Sequence, residues 1–552
     1  MSSKIIIILV AFVAYMALMI MIGALNAKSK NNEDYFLAGR GLGSWTAALS
    51  AQASDMSGWL LMGLPGAIYY AGTGDAWIAI GLLIGTVLNW YLVARRLRKY
   101  TIVANNSLTI PSFFENRFHD KRGVMKIVAS IVIIVFFAVY TASAFSSGAK
   151  LFATVFGKAE SFEKWYLIGL IVAAVVILVY TFLGGFKAVC YTDFIQGLLM
   201  LVAILAVPII MYIGVTKDYG SLSAALGAKG VADPAGYLSL FKDSEGKPVT
   251  AISVISNLGW ALGYFGMPHI LVRFMAIKSD KEVKKSRVIA IVWVILSLCA
   301  ACFVGLLARG YLTEVLDSTT KEHVFIKSIL QIFDGNFVLV FIGGIFLCGI
   351  MAAVMSTADS QLLVTASAVS EDMYKGAIKK DASEKSALWV GKIAVVVVAI
   401  IAFVIALDPK SSIMDLVSDA WAGFGAAFGP IILLALFWKR FNLPGAVAGM
   451  ITGFVTIITW DYIPFFGYSY TLNETGEALT KVDGVFTNAA GQTFASDLVT
   501  GSARTLSTET GLYSLVIGFA LALVVAVVVA LITKAPSKEI QDEFDKVKTV
   551  EI

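Results

Sequence analysis

Charge is what this chain has least of. Asp, Glu, Lys and Arg make up 15% of its 552 residues, against 58% hydrophobic. A soluble domain cannot hide that much apolar surface, so the composition defines a polytopic membrane protein. Histidine occurs three times and cysteine four times. The cysteines, Cys190, Cys299, Cys302 and Cys348, all fall in apolar stretches and form no C-x-x-C motif, which leaves buried free thiols as their reading. The net charge of +5 is small and points to no nucleic-acid partner. Glycine pairs such as Gly184-Gly185 and Gly343-Gly344 are too short to cradle a phosphate and suit close helix packing. No nucleophile–base pair can be placed, so an enzyme is the poorest fit. The apolar run 5–25 lacks a basic head and an A-x-A site and is expected to be a retained span, not a removed signal.

By the rule of about 20 apolar residues per crossing, the chain offers about thirteen spans. They lie near 5–25, 44–70, 76–97, 125–155, 165–183, 188–215, 251–276, 286–309, 337–369, 388–407, 412–438, 445–466 and 511–533. Basic residues cluster in alternate connections: Lys28, Lys30 and Arg40; Arg95, Arg96, Arg98, Lys99, Arg117, Lys121 and Arg122; Lys278, Lys281, Lys284, Lys285 and Arg287; Lys375, Lys379, Lys380 and Lys385; Lys439 and Arg440; and the tail from Lys534. Connections 71–75, 216–250 and 467–510 lack such clusters of Lys and Arg, the four lysines of 216–250 being spread along it. The asymmetry places the N-terminus outside and the C-terminus in the cytoplasm. The Thr-, Gly-, Asn- and Ser-rich stretch 467–510 is expected to be a solvated surface loop. The tail 534–552 is too short for an output domain.

Two spans are poor helices in the middle. Residues 51–66, AQASDMSGWLLMGLPG, place a carboxylate, Asp55, among Ser54, Ser57 and Gly58, with Leu64-Pro65-Gly66 following. A charge at that depth costs about 3 kcal/mol on insertion scales and far more in simulations unless it is paired. Five spans later, Asn257-Leu258-Gly259-Trp260-Ala261-Leu262-Gly263-Tyr264-Phe265-Gly266-Met267-Pro268 carries three glycines and then a proline, which weaken the helix again. Gly and Pro are common in membrane helices. Interrupted helices at corresponding positions of two halves nevertheless point to an inverted repeat with a site between them. A third element is Met355-Ser356-Thr357-Ala358-Asp359-Ser360 in the ninth span. Hydroxyls in spans mostly bond back along their own helix, but a carboxylate within one turn makes this a polar cluster.

The stretches GRGLGSWTAALSAQASDMSGWLLMGLPGA, LGWALGYFGMPHILVRFMA, MAAVMSTADSQLLV and DAWAGFGAAFGPIILLALFW resemble the sodium:solute symporter family, and within it the members that carry L-proline. The resemblance runs through most of 30–450 and implies an all-α polytopic, leucine-transporter-like fold with two inverted five-helix repeats. The implied organisation is an extra span and cytoplasmic loop (1–43), a first repeat (44–215), an external loop (216–250), a second repeat (251–438), two further spans around loop 467–510 (439–533) and a cytoplasmic tail (534–552). It also implies a sodium site from the carbonyls of Ala53, Met56 and Ala353 and the hydroxyls of Ser356 and Thr357, with Asp55 needed for sodium affinity. Ser57 and Gly58 are implied solute contacts, and Tyr140, Trp260, Tyr264 and Pro268 the pocket walls. Arg40 and Ser50 are tied to coupling, and Asp193 to the inward exit path.

The chemistry agrees: oxygen ligands suit a hard cation, unwound backbone frees carbonyls, and proline's ammonium and ring suit aromatic faces. Asp359 departs from the pattern. It could tune the sodium site, hold a further cation or proton, or bond Ser356. Asp419 suits a solvated helix end better than an outer gate, and His269 a packed neutral imidazole better than a proton relay. The expected activity is sodium-coupled import of L-proline across the cytoplasmic (inner) membrane by alternating access. Expected partners are sodium, L-proline and the lipid bilayer, with no nucleic acid and no obligate protein partner. A carrier for pantothenate, a sugar or a short carboxylate would share the fold. A solute sensor and an ion channel are the remaining classes.

Overall fold

The computed structural model describes residues 3–26, 32–379, 381–472, 477–482, 485–490 and 492–550. Lys28, Lys30 and Lys380 lie outside them. In chain order the main helices are α1 (Ser3–Asn26), the half-helices α2 (Ser44–Asp55) and α3 (Leu64–Ala71), α4 (Thr73–Val103), α5 (Val124–Phe156), α6 (Phe162–Phe182) and α7 (Phe186–Tyr219). There follow the half-helices α8 (Ala251–Gly259) and α9 (Pro268–Ala276), α10 (Asp280–Tyr311), α11 (Phe337–Gly376), α12 (Glu384–Ile405), α13 (Ile413–Phe437), α14 (Leu443–Tyr462), α15 (Ser514–Ile532) and a terminal α16 (Lys538–Thr549). Among the described residues, eleven continuous helices are long and apolar enough to cross a membrane. A helix satisfies its own backbone there, where hydrocarbon offers no partner. The two interrupted segments, 44–71 and 251–276, fall outside those eleven because their helices stop midway.

The interrupted pairs sit in the middle of the packing. α2 lies against α7, α9, α10 and α11, and α13 lies against α5, α14, α15 and the break between α8 and α9. α13 is the most buried of the continuous spans, whereas α1 and α12 leave most of their surface uncovered, as lipid-facing helices do. One face of the molecule carries the basic connections. There the chain before α2 pairs with the chain after α9: the Leu42 amide donates to Ala276 O (3.1 Å) and the Lys278 amide to Leu42 O (3.0 Å). The opposite face carries the 216–250 and 467–510 segments.

Three connections differ from expectation. The 467–510 segment is not a bare loop, and the chain is not wholly α. Strands β1 (Tyr468–Leu472), β2 (Ala478–Val482), β3 (Val485–Thr487), β4 (Thr493–Phe494) and β5 (Val499–Ala503) form an antiparallel sheet in the order β4-β3-β2-β1-β5. Its Tyr, Thr, Val and Phe residues suit a pleated, half-buried surface, and Tyr470 packs on the buried Phe486 at 5.1 Å. The 216–250 segment holds short helices at Leu222–Ala228 and Pro234–Tyr237, and the Tyr237 hydroxyl donates to the carbonyls of Ile68 (3.0 Å) and Tyr69 (2.8 Å). The polar tail folds as α16, which buries Ile540, Phe544 and Val547 against the end of α4.

Candidate functional site

The first break is a local rearrangement of hydrogen bonds. In an α-helix the Ser57 amide would donate to Ala53 and the Leu60 amide to Met56. Instead Ser57 N–H donates to Asp55 O (3.0 Å) and Leu60 N–H to Ser57 O (3.1 Å). Met56 leaves the helical region (φ −82°, ψ 72°), and residues Trp59–Gly63 are wound wider than an α-helix. Ala53 and Met56 carbonyls are thereby released from the helix. The Trp59 indole N–H donates to Asp55 O (3.0 Å) and the Tyr140 hydroxyl to the same oxygen (3.3 Å), so two aromatic side chains hold the break open. Gly58 has a packing reason: a Cβ there would fall 2.1 Å from Ser147 Oγ on α5.

α11 meets this break at the expected residues. Ser356 Oγ donates to Ala53 O at 2.7 Å and lies 3.3 Å from Ala353 O. The Thr357 hydroxyl is buried without a partner. A buried polar atom left unpaired is costly. Released carbonyls beside two hydroxyls form a set of hard oxygen donors that fits sodium.

Asp55 turns the other way, toward the second break. It is wholly buried. Its Oδ2 accepts a 2.7 Å bond from the Tyr264 hydroxyl, and its Oδ1 has no partner. One bond therefore spans the two interrupted helices. The second break runs as tight turns through Trp260–Phe265, and Pro268 opens α9 in its first turn, where its missing N–H breaks no helical bond. Two residues not expected from the sequence satisfy the carbonyls this break exposes. Asn89 Nδ2 donates to Tyr264 O (2.9 Å) and Trp421 Nε1 to Trp260 O (2.8 Å). The Trp421 ring stacks on Trp260 (6.3 Å, 29°) and stands edge-on to Tyr264 (4.9 Å, 88°). It fits because position 263 is glycine; a Cβ there would lie 2.0 Å from Trp421 Nε1. Buried His269 sits against Tyr140 and Phe137, the packed setting expected for it.

A second buried cluster lies toward the basic face and gathers Ser50, Asp193 and Asp359 around a residue the sequence reading left out, Arg273 on α9. Arg273 donates to Asp193 Oδ2 (2.9 Å), Ser50 Oγ (3.0 Å), Ser360 Oγ (2.5 Å) and His269 O (2.6 Å). Ser50 Oγ in turn donates to Asp193 Oδ2 (2.7 Å). Asp359 lies 3.3 Å from the Ser360 hydroxyl and not on Ser356, whose hydroxyl is donated to Ala53 O (2.7 Å); Ser360 Oγ also bonds back to Ser356 O (2.7 Å). Arg40 lies apart from both clusters. It donates to Met275 O (2.8 Å), Ser107 O (2.8 Å), Thr101 Oγ1 (3.1 Å) and Asn106 Oδ1 (3.0 Å), tying the approach to α2, the end of α4 and the end of α9 together.

The opposite face has its own buried clamp. Lys150 of α5 pairs with Glu322 at 2.6 Å, both side chains nearly inaccessible, and Lys150 also donates to Ser411 O (2.7 Å). Glu322 accepts from the Met414 amide (3.2 Å) at the start of α13. Asp419 accepts a 2.5 Å bond from the Tyr462 hydroxyl of α14 in an exposed setting.

Two interrupted helices meeting at a buried carboxylate, with hydroxyls of a third helix alongside, define a secondary transporter rather than an enzyme. The chain belongs to the sodium:solute symporter family, whose model matches residues 35–453. It is 44% identical to the sodium/proline symporter of Haemophilus influenzae over 461 residues, covering 82% of this chain and 88% of that protein. The sodium/proline symporter of Escherichia coli is 42% identical over 83% of this chain and 88% of its own length. The osmoregulated proline transporter OpuE of Bacillus subtilis is 39% identical over 96% of both. Among solved structures, a Na+-coupled sialic acid symporter in a substrate-bound outward-open state superposes with a TM-score of 0.69 at 18% identity, over 96% of this chain and 99% of that one. The fold is therefore the leucine-transporter-like one.

Proposed function

We propose that this protein couples the downhill influx of sodium to the import of L-proline by alternating access. The observation that carries the reading is the Asp55–Tyr264 bond between the two breaks, with Ser356 on the released Ala53 carbonyl beside it. The names of the relatives, at 38–44% identity, support proline as the solute. In this reading Ala53, Met56, Ala353, Ser356 and Thr357 hold sodium, and the Asp55 charge raises its affinity. Ser57, Gly58, Tyr140, Trp260, Tyr264 and Pro268 form the solute pocket. Proline's secondary ammonium and apolar ring suit the Trp260 and Tyr264 faces.

The same reading assigns α2–α7 and α8–α13 to two inverted repeats, with α1, α14 and α15 added. It places the protein in the cytoplasmic membrane with the basic face inside. Arg40, Ser50 and Asp193 then belong to the inner gate and exit path, and the Lys150–Glu322 clamp lies outside. Sodium favours the solute-competent state, because a ligand shifts an equilibrium only by its differential affinity. The driving force suffices. One charge crossing about 100 mV releases about 2.3 kcal/mol, and a tenfold sodium gradient about 1.4 kcal/mol. Together they sustain roughly a few-hundred-fold proline gradient.

The test is labelled L-proline uptake into proteoliposomes under an inward sodium gradient, against potassium and against a pH gradient alone. Uptake that requires sodium and rises with an inside-negative potential is expected. Competition by pantothenate, a sugar or a short carboxylate in place of proline would assign the pocket to another solute. Asp359 adds a second carboxylate beside the single Arg273 guanidinium. A Hill coefficient for sodium above one that falls to one in Asp359→Asn would assign Asp359 to a further cation.

A further inference from the structure

α15 lies outside the proposed two-repeat unit, yet its first turn is wedged against the solute-side break. A Cβ at Gly259, the last residue of α8, would fall 2.4 Å from Val516 Cγ2, and one at Gly425 of α13 would fall 2.5 Å from Leu515 Cδ1. Tyr513, the residue that leads into α15, stacks on the Trp260 ring at 5.4 Å and 23°. Its hydroxyl donates to Ser418 O on α13 (2.7 Å), and its amide donates to Ser256 Oγ on α8 (3.0 Å). Ser256 closes the loop by donating to Gly511 O (3.1 Å), and the Trp460 indole of α14 holds Leu512 O (3.1 Å). Residues 511–513 thus strap α8 to α13 on the face opposite the basic loops, directly over Trp260.

From this geometry we propose that Tyr513 is a positioning residue of the solute site. It fixes the Trp260 ring for solute and closes the outer route above it, so that opening to the outside requires the Tyr513 strap to release α8 or α13. The proposal rests on the reading of Trp260 as a pocket wall. It gives the accessory span a part in the transport cycle that the ten core spans alone do not provide. A stacked aromatic pair stabilises beyond the area it buries, so losing it is worth roughly two- to tenfold in affinity.

The test uses the full-length protein in proteoliposomes, with the four cysteines replaced by alanine and Ser57→Cys as a reporter at the first break. The rate of labelling by a membrane-impermeant maleimide from outside is compared with Tyr513 intact, with Tyr513→Phe and with Tyr513→Ala. Tyr513→Ala is expected to speed labelling several-fold. Tyr513→Phe, which keeps the stack and loses the bond to Ser418, is expected to fall between. In a background without the reporter, Tyr513→Ala is expected to raise the proline KM roughly two- to tenfold with little change in the sodium concentration for half-activation, and Tyr513→Phe to restore most of the loss. An unchanged labelling rate in Tyr513→Ala overturns the proposal, whatever happens to uptake. Parent protein that carries no proline would overturn the choice of solute and leave the labelling result to decide the strap.

Discussion

Asp55 and Asp193 are both wholly buried, both inside spanning helices, and both accept a hydroxyl at 2.7 Å. They differ in what faces the charge. Asp193 meets the Arg273 guanidinium at 2.9 Å, an internal cation. Asp55 meets a neutral phenol, and in both acids the second carboxylate oxygen has no hydrogen-bond partner, so the guanidinium alone separates them. A buried charge with no internal partner is expensive, and a protein keeps it where a cation from outside completes it. The paired acid reads as an element that holds helices together. In the proposed function, the acid without an internal cation is the one that raises sodium affinity.

The largest effect is expected where the internal pair is broken. Arg273→Ala leaves Asp193 and Asp359 uncompensated, which should cost about 3–5 kcal/mol. A sharply lowered melting temperature and poor recovery from the membrane would show it, and adding Asp193→Asn to that variant should recover part of the loss. Asp55→Asn is expected to do the reverse. Stability should hold or rise while sodium-dependent uptake falls by at least about 100-fold. A variant that transports normally would remove the distinction between the two acids. Tyr264→Phe deletes one bond to a charged group, worth about 1.5–3 kcal/mol. It should weaken sodium activation by roughly tenfold or more, measured as the sodium concentration for half-maximal uptake.

The smallest effect belongs to a third acid, on the surface. Asp545 of α16 is held down at about 2 by Lys439 and Lys548. Its contribution to tail docking is therefore present above its ordinary pKa near 4 and lost only as the pH falls through about 2. Limited proteolysis of α16 is expected to respond to salt, because exposed pairs are screened.

Much of this contrast was legible in the sequence because it is written in residues that do not belong in a spanning helix. Asp55 among small residues, the glycines before Pro268 and the Ser356-Thr357 pair announce themselves by polarity or by helix-breaking, and the structure brings them to one place. Arg273 offered the same kind of signal, an ionisable group inside an apolar run, but it lies near the end of its span, where lysines and arginines are ordinary. Trp421, Asn89 and Tyr513 gave no such signal. Aromatic and amide side chains in spans mostly pack, and their role depends on which carbonyl the distant break exposes. The β-sheet at 468–503 was missed because Thr, Gly, Asn and Ser dominate its composition, although the alternation in Tyr468-Ser469-Tyr470-Thr471-Leu472 carries a strand signature. The partner of Asp359 could not be read from spacing, because two serines stand within reach and the bond of the Ser356 hydroxyl to the distant Ala53 carbonyl decides between them.

The most direct measurement is equilibrium binding of labelled L-proline to the purified protein as a function of sodium, in the parent, Asp55→Asn and Asp193→Asn. The account predicts that sodium tightens proline binding in the parent and in Asp193→Asn, and that Asp55→Asn shows no sodium response at any concentration. Sodium-stimulated binding by Asp55→Asn equal to that of the parent would contradict it, and would move the cation away from the first break.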